Sequence, residues 1–498
     1  MDAQEILWTD AELYRQRYEK TATALIAVEC ALRRERPLDG GEEEFLHLYE
    51  FLAAANPEFF TQVWEDPSAY FWARRAYELT GASLSGDTLP AELEKYCAAI
   101  GTHDPRAALA LHLEEFKRFI IAVAMIARED YVFRRPLIAK LPFSIPGIAF
   151  SVFGSGDLAV RAVNAGALVA EYQSRTIQLD PAGAAPEADS PRLMKRPVAR
   201  CGEYELLLKP EAFYLPGITA ADALREVAPD FQETQVGLVE EALALVERHH
   251  PLAFGHLREV VKLTALKPPA FGDYSNVSYS DLPGAFILSA VQEPYWIADG
   301  LIHEFFHNRL FFIEEREAIL TNAGAEDGES SGEFYSPWRD DLRPLSGLLH
   351  AIYVYIAVSQ FWFSVLRSGE TSEPRTAYSV DQAVRATLQL RIASRLLRRY
   401  AQFSEFGADL FREMGKEVDA AWTTMHEMGL AADAPAMIMR GDGQIILGGT
   451  RPDGCPLSII ETIRQHAARY DVNHQSGDLE SLLTAEIPRL ADAGSIRR

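Results

Sequence analysis

The chain has 498 residues, of which 48% are hydrophobic and 24% charged, a balance typical of globular proteins with room for two or three compact units. Its formal net charge of −24 argues against a nucleic-acid backbone as partner, because phosphates are held by clustered Lys and Arg. Cys30, Cys97, Cys201 and Cys455 form no CxxC pair, so neither a zinc ribbon nor a disulfide framework is expected, and a reducing cytoplasm fits.

Met1 to Glu5 is acidic and lacks the basic and apolar blocks of a secretory signal. From Ala11 to Arg33 apolar residues fall at helical spacing, and similar patterns follow as far as Ala127, giving a helical N-terminal region over residues 1–130. The clearest start is Asp104-Pro105, an N-cap with Pro at the first helical position, for a helix carried through Phe116 to Val123. His47, His103 and His112 lack metal-ligand spacing and read as surface or core histidines.

A β-containing middle region is expected over residues 131–215. Its β-branched and aromatic runs between Leu141 and Leu179 are broken by Gly and Pro, a loop follows from Asp180 to Pro191, and a strand lies near Glu203–Leu208. The next region, residues 216–430, opens with a helical pattern from Ala220 to Arg248, and an extended segment from Val277 to Ala290 ends in a strand. Such a segment serves either as ordinary sheet or as an edge that aligns a peptide backbone. Leu348 to Leu366 comes closest to a membrane span, but His350, Ser359, Gln360 and Ser364 favour a buried helix, and no membrane partner is expected. Helices over Val380–Phe403 and Ala408–Met428 follow. Residues 431–498 supply a hairpin around Gly441-Asp442-Gly443 and a helix over Ser458–Tyr470, expected to pack on the region over residues 216–430. The fold class is α+β, predominantly helical, with an HExxH helix beside a strand.

That helix spans Asp299 to Ile319 and carries Ile302-His303-Glu304-Phe305-Phe306-His307-Asn308. Positions i and i+4 stack on one helix face, so His303 and His307 can present two imidazoles to one metal ion. Glu314, Glu315 and Glu317 are expected to mark the exit of the helix into solvent.

Two imidazoles need a third ligand. A metzincin is excluded, because Leu310 and Ile313 stand where its glycine and third histidine belong. A zinc peptidase would draw a downstream acid from Glu326, Asp327, Glu329 or Glu333, with Glu304 as general base on Zn(II)-bound water. A non-haem iron oxygenase needs open metal positions for its co-substrate and O2, and a fixed cation if the co-substrate is a carboxylate. Arg339 and Arg343 lie just before the helix carrying His350, although local pairs with Asp340 and Asp341 would also account for them. A third alternative is a non-catalytic peptide-binding scaffold, against which the intact His303, Glu304 and His307 count.

The run from His303-Glu304-Phe305-Phe306-His307 through Tyr335-Ser336-Pro337-Trp338-Arg339-Asp340-Asp341-Leu342-Arg343-Pro344-Leu345-Ser346-Gly347-Leu348-Leu349-His350 resembles the HExxH-motif peptide-modification family. These are 2-oxoglutarate-dependent peptide β-hydroxylases of pathways that modify ribosomally made peptides. The resemblance covers residues 277–362. It implies Fe(II), 2-oxoglutarate and O2 as reactants, and hydroxylation at the β-carbon of a residue in a precursor peptide. It also implies His303, His307 and His350 as metal ligands, Arg339 as co-substrate anchor with Arg343 second, and Glu304 as a residue that orients a ligand or accepts a proton.

Overall fold

The structure, a computed structural model, describes residues 11–34, 38–85, 89–128, 131, 133–141, 143–154, 156–164, 167–179, 190–209, 229–267, 276–322 and 334–470. It is a predominantly helical α+β protein with several small sheets.

The N-terminal unit is built from α1 (Ala11–Arg34), α2 (Gly40–Ala54), α3 (Pro57–Trp64), α4 (Pro67–Ser85), α5 (Ala91–Ala99), α6 (Pro105–Glu114) and α7 (Lys117–Ala127). Local signals start several of these helices. Asp39 and Glu42 form a capping box at α2, Asn56 precedes Pro57 at α3, and the Asp104 side chain accepts from the amides of Arg106 and Ala107 at α6. The expected continuous helix from Asp104 to Val123 is instead two helices. The amides of Glu115 and Phe116 reach back only three residues, to His112 and Leu113. This break turns Phe116 into the core, with ring centroids 4.9 Å from Phe45 and 5.0 Å from Trp72.

Seven strands then form two antiparallel sheets: β1 (Leu137–Lys140), β2 (Phe143–Ser144), β3 (Phe150–Phe153), β4 (Asp157–Asn164), β5 (Ala167–Tyr172), β6 (Arg175–Leu179) and β7 (Arg192–Lys195). Their orders are β1-β4-β5-β6 and β2-β3-β7.

The next elements are β8 (Val198–Cys201), β9 (Tyr204–Lys209), α8 (Pro229–His249), α9 (Pro251–Val260), β10 (Leu263–Lys267), β11 (Val277–Ser278) and β12 (Ala285–Ser289). These strands form one sheet in the order β11-β12-β10-β9-β8, with β9, β10 and β12 parallel and both outer pairs antiparallel. Successive side chains on a strand point to opposite faces, and here the two faces serve different cores. Leu206, Leu208, Phe286 and Leu288 pack with the C-terminal helices, whereas Ala265, Ala285 and Ile287 pack with the N-terminal unit. The expected boundary at 215/216 lies outside the described residues, and strands from either side of it share this sheet.

The C-terminal unit continues with α10 (Pro294–Arg316), α11 (Leu345–Ser368), α12 (Glu373–Tyr400), α13 (Glu405–Glu427), β13 (Met437–Met439), β14 (Ile445–Leu447) and α14 (Ile459–Ala468). By length and composition α11 could cross a membrane, yet 72% of its most apolar window is buried, and it packs on α8, α10, α12 and α13. It is the central helix of this core. Ion pairs join the two units. Arg74 and Arg75 of α4 bind Asp281, in the loop before β12, and Glu315 near the end of α10 accepts from the Tyr70 hydroxyl at 2.8 Å and pairs with Lys20.

Candidate metal centre

Helix α10 begins one turn earlier than the sequence pattern suggests. Glu293 caps it by accepting from the Trp296 amide at 2.8 Å, with Pro294 at the first position. One face is fixed to the sheet. A Cβ on Gly300 would meet Asn276 at 2.5 Å, so helix and sheet edge approach closely there. Fully buried Asn308 accepts from the Gly284 amide at 2.8 Å and donates to the Ala285 carbonyl at 3.3 Å, tying the helix to the start of β12. Asp299, His303 and His307, spaced four apart, share another face, and α11 brings His350 up to it.

His307 Nδ1 and His350 Nδ1 are 3.1 Å apart, and the rings stack with centroids separated by 5.4 Å. The other nitrogen of His350, Nε2, lies 2.9 Å from Glu314 Oε2. A carboxylate there fixes the tautomer: Nε2–H donates to Glu314, leaving His350 Nδ1 bare and facing His307. In the absence of metal, His307 Nδ1–H then donates to it. Two nitrogens about 2.1 Å from one ion and at right angles lie about 3.0 Å apart, so the observed spacing suits neighbouring positions on a metal. His303 stands one turn earlier, its ring centroid 4.9 Å from that of His307 and 5.2 Å from that of Tyr355. Among the described residues no three His, Cys, Asp or Glu side chains close into a metal cage; the His307–His350 pair is formed, and His303 borders it.

The surroundings set the charge. Burial lowers His303 to about 4, and burial together with the neighbouring His303 and His350 holds His307 well below the ordinary range. Both are therefore neutral near pH 7, the form that binds metal. Glu304 is 2% exposed, and burial pushes its carboxyl up to about 8, offset in part by a hydrogen bond with Ser278 of β11. It lies 4.0 Å from His303 Nε2, beyond hydrogen-bond reach. Asp299 is raised to about 6 by burial, opposed by the Trp362 Nε1 donor at 2.6 Å.

Arg339 and Arg343 lie farther out. Both donate to Asp341, and their side chains are 58% and 34% exposed. Trp338, beside Arg339, stacks on Tyr355 at 4.9 Å, and Tyr355 meets His303 edge-on. Trp338 Nε1 is buried with no hydrogen-bond partner among the described residues. Glu326, Asp327, Glu329 and Glu333, the acids of the zinc-peptidase alternative, lie outside the described residues.

Glu315 and Glu317 are exposed, as expected for the exit of the helix into solvent, and Glu314 is half-buried, but two of these carboxylates also have partners. Glu314 holds His350, and Glu315 binds the N-terminal unit. The sequence did carry a signal for Glu314: it lies seven and eleven positions after His307 and His303, near whole helical turns. Asn308 and Asp299 carry a similar signal, since each lies four or five positions from a motif histidine. No model of a known protein family matches the chain, and no curated protein matches it.

Proposed function

We propose that the protein is an Fe(II)- and 2-oxoglutarate-dependent oxygenase that hydroxylates the β-carbon of a residue in a ribosomally made precursor peptide. The single observation carrying this is the His307–His350 pair, with Nδ1 atoms 3.1 Å apart and Glu314 behind. A histidine from outside the HExxH helix thus meets the motif, as an all-histidine donor set requires. Fe(II) held by His303, His307 and His350 would supply the O2-dependent hydroxylation, with 2-oxoglutarate as co-substrate. Burial keeps the His303 and His307 imidazoles neutral, and Glu314 orients His350. Tyr355 packs against His303 and Trp338 against Tyr355, and Trp338 Nε1, which has no hydrogen-bond partner among the described residues, is a donor for a ligand oxygen. Arg339 serves as the carboxylate anchor, with Arg343 second, and Glu304 holds a proton beside His303. The peptide substrate rests on the resemblance of the segment from His303 to His350. A cytoplasmic setting suits its four free cysteines.

The test is an anaerobic titration of metal-free protein with Fe(II) and then 2-oxoglutarate. A weak visible charge-transfer band that needs both and disappears in His303→Ala supports the oxygenase. Tight zinc binding without that band points to a peptidase with Glu304 as base, and absence of any metal binding leaves a scaffold.

A further inference from the structure

Helix α12, the β13–β14 hairpin and α14 border an open recess of about 330 Å³. Tyr378, Gln382 and Arg385 line it from one stripe of α12, Thr462 from α14, and Met437 and Met439 from the hairpin; His303, Glu304, His307 and His350 do not.

Arg385 is held as a rigid fork. Its Nε and Nη2 donate to Asp381 Oδ2 and Oδ1 at 2.9 and 2.7 Å, and its Nη1 donates to Thr462 Oγ1 at 3.0 Å. Three of its five N–H groups are thereby used, leaving two on a side chain that borders the recess. Asp381 is fully buried and also accepts from the Met437 amide and from Gln382, so its lone pairs are occupied by fixed donors. Tyr378 is only 6% exposed, yet its hydroxyl has no hydrogen-bond partner among the described residues. Burial, with Asp299 and Asp381 nearby, keeps this phenol protonated, so it is a donor. The hydroxyl borders the recess, where a bound acceptor can take its hydrogen bond.

A planar two-oxygen acceptor matches a fixed guanidinium fork with an adjacent phenol. We propose that this recess is a carboxylate-binding site, with Arg385 as the fork and the Tyr378 hydroxyl as second donor, for a small diacid or the C-terminal carboxylate of a peptide. The site neighbours the metal centre through aromatic rings: Tyr378 meets Trp362 edge-on at 5.5 Å, and Trp362 binds Asp299, one turn before His303. It does not depend on metal chemistry.

The test is calorimetric titration of the full-length protein in chelator, with succinate, a short peptide bearing a free C-terminal carboxylate, the same peptide amidated, and inorganic phosphate. Succinate or the free-carboxylate peptide should bind one to one, and amidation should abolish any peptide signal. Tyr378→Phe, which keeps the ring against Trp362, should weaken binding about 10-fold, in line with one charge-assisted hydrogen bond. Arg385→Lys, which keeps charge but loses the fork, should weaken it at least as much, and His303→Ala should leave it unchanged. No heat with either carboxylate, a preference for phosphate, or binding that survives Tyr378→Phe or a folded Arg385→Lys would overturn the proposal. So would loss of binding in His303→Ala, which would locate the ligand at the histidines. If Arg385→Lys does not fold, Tyr378→Phe decides alone. With metal excluded, a failed iron titration leaves this result standing, and failure here leaves the oxygenase standing.

Discussion

The two units bury histidine in opposite ways. In the N-terminal unit His112 is fully committed: Nδ1 meets the Tyr96 hydroxyl at 2.6 Å, Nε2 meets the Trp72 carbonyl at 2.8 Å, and the ring stacks on Trp72. In the C-terminal unit His307 and His350 turn Nδ1 atoms toward each other, and Glu314 engages the far side of His350. Burial lowers the affinity for protons in both places, so the pKa does not distinguish a core histidine from a ligand. The partners do. A network closed by hydroxyl and carbonyl groups is complete, whereas the proton between two facing imidazole nitrogens can be displaced by a cation.

This contrast is sharpest under mutation. His303→Ala should abolish iron binding, read as metal per folded chain, with little change in melting temperature; retained iron would remove His303 from the ligand set. His112→Ala should do the reverse, costing about 4 kcal/mol of stability by leaving a cavity and two unpaired buried groups, while the folded fraction binds iron normally. Denaturant titration measures that loss, and a cost below about 1 kcal/mol would show that the His112 network is dispensable.

Acid should find the same difference. His112 titrates at about 4 in the folded chain against an ordinary 6.5. Between those values the unfolded chain binds a proton that the folded chain does not. The stabilisation is therefore complete above about pH 6.5 and is lost as pH falls through about 4, in total on the order of 3 kcal/mol. His112→Gln should flatten that part of the stability–pH curve, and an unchanged curve would assign the acid sensitivity elsewhere. Glu314→Ala should weaken iron binding about 10- to 100-fold, as expected for a carboxylate that orients a ligand. An unaltered iron affinity would make the Glu314–His350 contact incidental. Arg339→Ala should raise the KM for 2-oxoglutarate only a few-fold, because its side chain is 58% exposed and screened by solvent. Loss of iron in that variant would recast Arg339 as structural.

Features encoded over short distances were legible in the sequence. The Asp104-Pro105 start, the hairpin around Gly441 and Gly443, the HExxH helix and the buried character of α11 all depend on near neighbours or on helical period. Tertiary packing decided what was missed. The break between α6 and α7 follows Phe116 into an aromatic cluster drawn from α2 and α4, which helical periodicity cannot register. Glu314 read as a charge at a helix end, because its partner His350 lies 36 residues downstream on another helix. Asn308 was visible inside the motif, but its task of gripping the Gly284–Ala285 backbone appears only once the strand lies alongside.

Strand β12, with Phe286 and Leu288 in one core and Ala285 and Ile287 in the other, leaves no tolerance in its alignment. Sliding it by a single residue would push Phe286 into the space shaped for Ile287 and would misplace apolar groups in both halves at once. A double penalty of this kind acts as a proofreading step during folding, since a misaligned strand can satisfy neither half. It also makes severing the chain between the units costly, because each fragment would carry one bare apolar face of the sheet and would be prone to aggregate.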